Sequence, residues 1–231
     1  MLDTHYFEEK VRPIRAQLEE FVNSGAKIFT TSSFQTQSLP LLHIISGITG
    51  CKTVYMTDTG YLFSETQSFA RSIAALLNLE LRTVASTVPK FSQTDIHGRL
   101  LYASDPDLCC ELNKVAPLEP VLISHDIWIN GVRRDQTDAR AALNEFEEAQ
   151  FGCTRYHPML EWSAREIFYY RKSFALPEHP LEAEGYHSVG CQPCTVKFED
   201  EGNQRNARWF GMNKTECGLN TSLITKSGDA V

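Results

Sequence analysis

Residues 4–84 alternate between helical and strand-like stretches, and that alternation constrains the fold more than any other feature of the chain. Phe7, Val11, Ile14, Leu18, Phe21 and Val22 recur at near-helical spacing before Gly25, with Pro13 expected to kink the first turns. Residues 26–31 then read as a short strand, 39–48 as a helix and 52–56 as a second strand. Ser64-Glu65-Thr66-Gln67 has the form of a capping box opening a helix, whose apolar face is Phe69, Ile73, Leu76 and Leu77. A third strand covers 80–84, a helix 109–118 and a strand 127–129. A second capping box, Ser163 to Glu166, opens a helix through Arg171. Strand alternating with helix predicts an α/β fold with a doubly wound, mostly parallel sheet.

The chain divides into an N-terminal helical segment (1–25), an α/β body (26–176) and a C-terminal segment (177–231) of the same domain. The last segment is crowded with Gly, Pro, Arg, Cys and aromatics and has little periodicity, which is the texture of a site-bearing stretch. Residues 221–231 are polar and expected to be a mobile tail.

Net charge is −7, which argues against general nucleic-acid binding and requires any anionic ligand to meet a local basic patch. The first ten residues hold no apolar core of signal-peptide length, and no apolar run is long enough to cross a bilayer. A reducing, cytoplasmic compartment is therefore expected, with no membrane partner. There, paired cysteines are metal ligands or redox centres more often than disulfides.

Four of the seven cysteines fall in two tight pairs, Cys109-Cys110 and Cys191-Gln192-Pro193-Cys194. Zinc and iron–sulfur clusters both take four thiolates. Adjacent cysteines do not fit a zinc knuckle, whereas neighbouring side chains can reach two irons of a cubane cluster. The spacing favours a cluster and leaves zinc open. Cys51 and Cys153 stand alone and read as small buried hydrophobes.

Ligands of open α/β sheets bind at the carboxyl ends of the strands. Two such ends carry polar loops: Ser32 to Ser38, including Ser33, and Asp58-Thr59-Gly60. The first leads into a helix N-terminus, which suits an anion held by backbone N–H groups, and it has neither a Walker nor a dinucleotide glycine pattern. Its plain alternative is an ordinary serine-rich cap. Arg133 and Arg134 follow the strand 127–129, and Arg205, Arg208 and Lys214 gather near the C-terminus. Arginine suits bidentate phosphate or sulfate recognition, although a single surface arginine is usually just solvated. Cys217, in Lys214-Thr215-Glu216-Cys217-Gly218-Leu219, is a lone thiol near a lysine, a setting that raises a thiolate fraction but that an inconsequential surface thiol shares equally.

Taken in order, these motifs resemble the assimilatory adenylyl-sulfate reductases, the iron–sulfur branch of the phosphoadenylyl-sulfate reductase family. The resemblance runs from the Ser32 loop to Leu219. It is carried by Asp58-Thr59-Gly60-Tyr61-Leu62-Phe63, Cys109-Cys110, Gly131-Val132-Arg133-Arg134-Asp135-Gln136 and Pro158-Met159-Leu160-Glu161-Trp162-Ser163. Gly185-Tyr186, Gly190-Cys191-Gln192-Pro193-Cys194-Thr195, Arg208-Trp209 and the stretch ending in Cys217-Gly218-Leu219 complete it.

The resemblance implies an adenine-nucleotide alpha-hydrolase-like fold and a [4Fe–4S] cluster on Cys109, Cys110, Cys191 and Cys194. It implies Cys217 as nucleophile toward adenosine 5′-phosphosulfate. Ser32, Ser33, Ser38, Asp58, Thr59, Gly60, Lys114, Arg133, Arg134, Arg205 and Arg208 would bind the substrate. With no second cysteine near Cys217, the expected reductant is a separate dithiol protein, thioredoxin or glutaredoxin-like. The resemblance leaves a homo-oligomer open. Gln35, Ala207, Asn220 and Asn113 stand where the family usually has glycine, glycine, histidine and a basic residue. The rival readings are the same chemistry on the 3′-phosphorylated substrate, an RNA-thiolating ATP pyrophosphatase relative, and a cluster- or zinc-based redox sensor. The second of these expects a Ser-Gly-Gly-x-Asp-Ser loop, which Ser33-Phe34-Gln35-Thr36-Gln37-Ser38 is not.

Overall fold

The computed structural model describes residues 2–197 together with 208, 209, 211, 212, 214, 216–220 and 223. Arg205 and most of the expected tail lie outside the described residues.

Six strands form one sheet: β1 Ile28–Thr31, β2 Thr53–Asp58, β3 Glu80–Ala85, β4 Ile127–Ile129, β5 Phe146–Glu148 and β6 Thr154–Tyr156. Their order is β3-β2-β1-β4-β6-β5, parallel except for β5, which pairs antiparallel with β6 at the edge. The expected doubly wound, mostly parallel sheet is the one observed. The chain runs outward from β1 to β3 and then returns to β4 on the other side of β1. The crevice between the ends of β1 and β4 is thus the switch point at which such sheets bind ligands.

Helices cover both faces: α1 Thr4–Asn23, α2 Leu39–Ser46, α3 Ser64–Leu76, α4 Leu101–Ser104, α5 Pro106–Cys110, α6 Ala116–Ile123, α7 Asp138–Ala141 and α8 Ala164–Ser173. On one face Phe7, Leu18, Leu42, Ile45, Ile73 and Tyr170 close a core over Ile28, Val54 and Ile129. On the other, Val115, Leu118 and Leu122 pack against Phe29 and Trp128. Alternate residues of β1 therefore serve opposite cores, as the two-residue repeat of a strand requires. Cys51 and Cys153 are buried in these cores, one in each.

Helix α1 contains Pro13 and starts from an Asp3 cap whose side chain accepts from the Tyr6 N–H. Two local expectations change. Helix α3 starts without its capping box: Phe63 is the cap residue, extended and buried against Leu181 and Val189, so tertiary packing sets the entry. Ser64 bonds Glu65 instead, and Leu76 is left exposed. The expected helix 109–118 is three pieces, with a wider π-turn, Glu111–Val115, joining α5 to α6. The second capping box forms on both arms, Ser163 N–H to Glu166 and Glu166 N–H to Ser163. Among the described residues, no helix is long and apolar enough to cross a membrane.

Candidate active site

A cavity of about 210 Å³ opens at the carboxyl ends of β1, β2 and β4. Its floor is Thr31, Ser32, Ser33 and Tyr55, with Asn130 and Gly131 at the end of β4. The Ser32 N–H donates to Tyr55 O, and the Phe34 N–H to the Ser32 hydroxyl. Phe34 itself is fully buried and has a positive φ of 52°, so the loop turns sharply around an apolar anchor before α2. Gln35, which stands where the family usually has glycine, ties the loop to the far wall: its Oε1 accepts from the Val189 N–H at 3.0 Å.

The far wall and roof come from the C-terminal segment. Ser188, Val189, Gly190 and Cys191 line the cavity, as do Arg208, Trp209, Cys217, Leu219 and Asn220. Arg208 is buried beside Gly190, where a methyl group would overlap its guanidinium, so a side chain there would dislodge the arginine. Its Nη1 donates to Val189 O, and its plane lies over the Trp209 ring.

A second, smaller cavity lies alongside. Cys109, Cys110, Cys191 and Cys194 line it with Thr59, Tyr61, Asn113 and Lys114. Asp105 caps α5 by accepting from the Leu108 N–H, and the π-turn that follows carries Lys114 to a place between the two cavities. All four thiols are buried. Burial, compounded by the neighbouring thiols, pushes Cys109 and Cys194 up to about 11 and raises Cys110. The Thr59 hydroxyl lies 3.2 Å from Cys191 Sγ, and Asn113 Nδ2, paired with Gln93, donates toward Cys109 Sγ at 3.7 Å. No three His, Cys, Asp or Glu side chains among the described residues lie close enough to hold a single metal ion. The sulfurs ring the cavity.

Lys114 ties the cavities together. Burial works against its charge, but Cys217, Cys191 and Cys110 outweigh that and hold it above the usual lysine range. Burial likewise opposes ionisation of Cys217. Lys114, the Leu219 N–H and Arg208 outweigh it, so the thiol sits below its ordinary range. The Cys217 thiol thus lines the larger cavity near two cations, Lys114 and Arg208, that favour its ionised form.

Ser32, Ser33, Ser38, Lys114 and Arg208 line that cavity with Cys217. Asp58, Thr59 and Gly60 do not. Asp58 caps its own turn through the Gly60 N–H, Gly60 has a φ of +66°, and Thr59 turns to Cys191. Arg133 lies behind the cavity wall, buried on Asp135 and Gln37. Arg134 is spent on Glu161 and the carbonyls of Ala141 and Leu143.

Two cations that sequence reasoning passed over line the cavity instead. Arg155 of β6 is buried and stacked on Trp128, and burial with Arg140 nearby lowers it to about 9. Arg140 of α7 is buried on Glu216. Neither was marked in the sequence, since Thr154-Arg155-Tyr156 is too short and polar to show a period and Arg140 sits in no motif.

Residues 27–197 match the phosphoadenosine phosphosulfate reductase domain. The chain belongs to that family. It is 34% identical over 197 residues to an adenosine 5′-phosphosulfate reductase of Bacillus mycoides, covering 84% of this chain and 83% of the relative. It is 33% identical to one of Halalkalibacterium halodurans over 84% and 85%. A crystal structure of a phosphoadenylyl-sulfate reductase from Candida auris, a phosphate complex, superposes with a TM-score of 0.66 at 22% identity. That match covers 85% of this chain and 98% of the other, and shows a shared fold. Within the reductase family, then, this chain joins the serine loop, the cysteine-lined cavity and the Cys217 thiol in one crevice.

Proposed function

We propose that the protein reduces adenosine 5′-phosphosulfate to sulfite and AMP through a Cys217 S-sulfonate, with a separate dithiol protein, thioredoxin or glutaredoxin-like, as reductant. The observation that carries this is the Cys217 thiol, depressed by Lys114 and Arg208, in the same cavity as the Ser32–Ser38 loop. The thiolate attacks the sulfur of the phosphosulfate, an S–S bond forms, and the S–O bond breaks with AMP leaving. Both reactants are anionic, so Lys114 and Arg208 offset their repulsion as they approach. A donor thiolate then attacks Cys217 Sγ and expels sulfite, and the donor's second thiol resolves the mixed disulfide. The relatives' names favour the substrate without a 3′-phosphate over its 3′-phosphorylated form.

Cys109, Cys110, Cys191 and Cys194 would hold a [4Fe–4S] cluster. Four buried thiols lining one small cavity beside Lys114 suit a cationic, thiolate-bound centre, and the adjacent Cys109-Cys110 pair suits a multi-iron one better than a zinc knuckle. When bound, the cluster would brace the C-terminal segment and set the field around Lys114.

Incubation with adenosine 5′-phosphosulfate and no donor should release AMP and leave a sulfonate on Cys217, read by peptide mass spectrometry. Cys217→Ser should keep its iron and release AMP at least about 10⁴-fold more slowly. AMP release at the native rate from that variant would sink the mechanism. A higher kcat/KM on the 3′-phosphorylated compound would transfer it to that substrate.

A further inference from the structure

The residue next to Cys217 is more heavily bonded than a surface glutamate has reason to be. The Glu216 side chain is 5% exposed. Its Oε2 accepts from Arg140 Nε at 2.7 Å and the Thr137 hydroxyl at 3.2 Å. Its Oε1 accepts from Arg140 Nη2 at 2.8 Å, the Cys217 N–H at 2.8 Å and Asn220 Nδ2 at 3.1 Å. The carboxylate therefore grips both ends of the turn that carries the thiol, and Arg140 grips the carboxylate by its fork. Arg155 takes the same turn from the other side, donating to Leu219 O and to Asn220 Oδ1.

The bonding continues to the cavity loop. Arg140 Nη1 donates to Gln136 Oε1, which also accepts from the Arg133 N–H. Gln136 Nε2 and Arg133 Nη1 both donate to Gln37 Oε1, inside the Ser32–Ser38 loop. Gln37, Gln136 and Arg140 all line the larger cavity. One unbroken polar chain thus runs from the loop that faces an anion to the backbone of the nucleophile.

We propose that Glu216 is the positioning residue of Cys217, latching its turn over the cavity, and that Arg140 and Gln136 couple this latch to the Gln37 loop. The inference rests on Cys217 being the nucleophile. A thiol that must face the substrate inside and a donor protein outside needs a hold that is strong when closed and can be released. Apolar packing resists release into water, whereas a carboxylate and a guanidinium are readily solvated once parted.

Glu216→Gln tests this. The change removes a negative charge beside Cys217, which by itself makes the thiol a better-ionised nucleophile. A latch predicts the opposite outcome: single-turnover AMP release falls 10- to 100-fold, while dithiothreitol discharges preformed S-sulfonate at the native rate or faster. Alkylation of Cys217 by iodoacetamide, taken at the high-pH plateau where ionisation no longer matters, rises at least fivefold. AMP should slow that alkylation in the native protein and lose the effect in Gln136→Leu. Arg140→Gln combined with Glu216→Gln should be no worse than either change alone, because one interaction is being removed twice.

A Glu216→Gln protein with native AMP release and a native alkylation plateau overturns the proposal. So does a parallel fall of both half-reactions with the melting temperature, which is what a merely structural residue gives. Persistent AMP protection in Gln136→Leu overturns the coupling. An adduct on a cysteine other than Cys217 in the native protein refutes the nucleophile instead, and the alkylation plateau still reports the latch.

Discussion

The two walls of the cavity are held by different physics. The sheet side rests on apolar cores: Phe29, Leu42, Val54, Trp128 and Ile129 are buried from both faces, and the Ser32–Ser38 loop hangs from Phe34. The C-terminal side, from Leu181 to Leu223, has few regular elements among its described residues beyond the short 3₁₀ turns Pro180–Glu182, Gln192–Cys194 and Gly218–Asn220. Leu181, Val189 and Leu223 anchor it at apolar points, and the stretch around Cys217 is held by charged side chains: Arg140 on Glu216, Arg155 on Leu219 and Asn220, and Lys214 on Asp107. Burial of apolar area is non-directional and specifies a rigid scaffold. Charge pairs are directional and separable, which suits the wall that must bring a thiol in and let it out. On the proposed function, recognition falls to the scaffold wall and chemistry to the wall that carries Cys217.

The largest break in this contrast comes from the cysteines. Cys191→Ser should lose its iron, loosen the C-terminal wall and lower turnover by well over 100-fold, more than changes outside a metal's ligand shell usually cost. Cys153→Ala, on the apolar wall, should keep iron and turnover and cost about 1–2 kcal/mol of stability. Iron analysis alongside chemical denaturation separates them. Full iron in Cys191→Ser would dissolve the four-thiolate centre.

The next effect is electrostatic. Lys114 is the cation that does most to lower Cys217, and removing it as Lys114→Met should raise the thiol's apparent pKa. Thiolate is lost as pH falls through that pKa, so the acid limb of the AMP-release profile should move to higher pH. The rate at neutral pH should fall about 10- to 100-fold and return only in part under alkaline conditions, because Lys114 also offsets the substrate's charge. An unshifted acid limb would show that Lys114 does not set the nucleophile.

The contrast also explains what the sequence made legible. Strands β1 to β4 and helices α1, α2 and α8 were readable because apolar burial imposes a local period, whereas β5 and β6, three residues each and mostly polar, went unread; the order of cysteine pairs, serine loop and Cys217 put a candidate site at the strand ends. The Asp58-Thr59-Gly60 turn faces the cysteine cavity, not the larger one, because Thr59 turns to Cys191, more than a hundred residues away in the chain. Arg140 and Arg155 carried no period and no motif. Their meaning depends on Glu216 and Asn220, brought near only by the closed C-terminal wall. The missing capping box at Ser64 has the same cause, since Phe63 is fixed by Leu181 and Val189 of that wall.

The smallest expected effect tests whether the apolar wall tolerates loss of its own ion pair. Glu166 opens α8, accepts from Ser163, Tyr6 and Lys10, and so clasps α1 to α8. Burial would raise its pKa, but the Lys10 bond and those from Ser163 and Tyr6 outweigh this and hold it down to about 2, against 4.5 for a free glutamate. A folded-state pKa below the unfolded value means that the contribution is complete above about pH 4.5 and is lost as pH falls toward 2. Because α1 also docks through buried Phe7, Val11, Ile14 and Leu18, Glu166→Gln should cost only about 1–2 kcal/mol at neutral pH. The stability difference between native protein and variant should shrink away between about pH 4.5 and 2, as denaturant midpoints at a series of pH values would show. Unfolding of the variant at neutral pH would mean that the scaffold wall, too, is held mainly by charge.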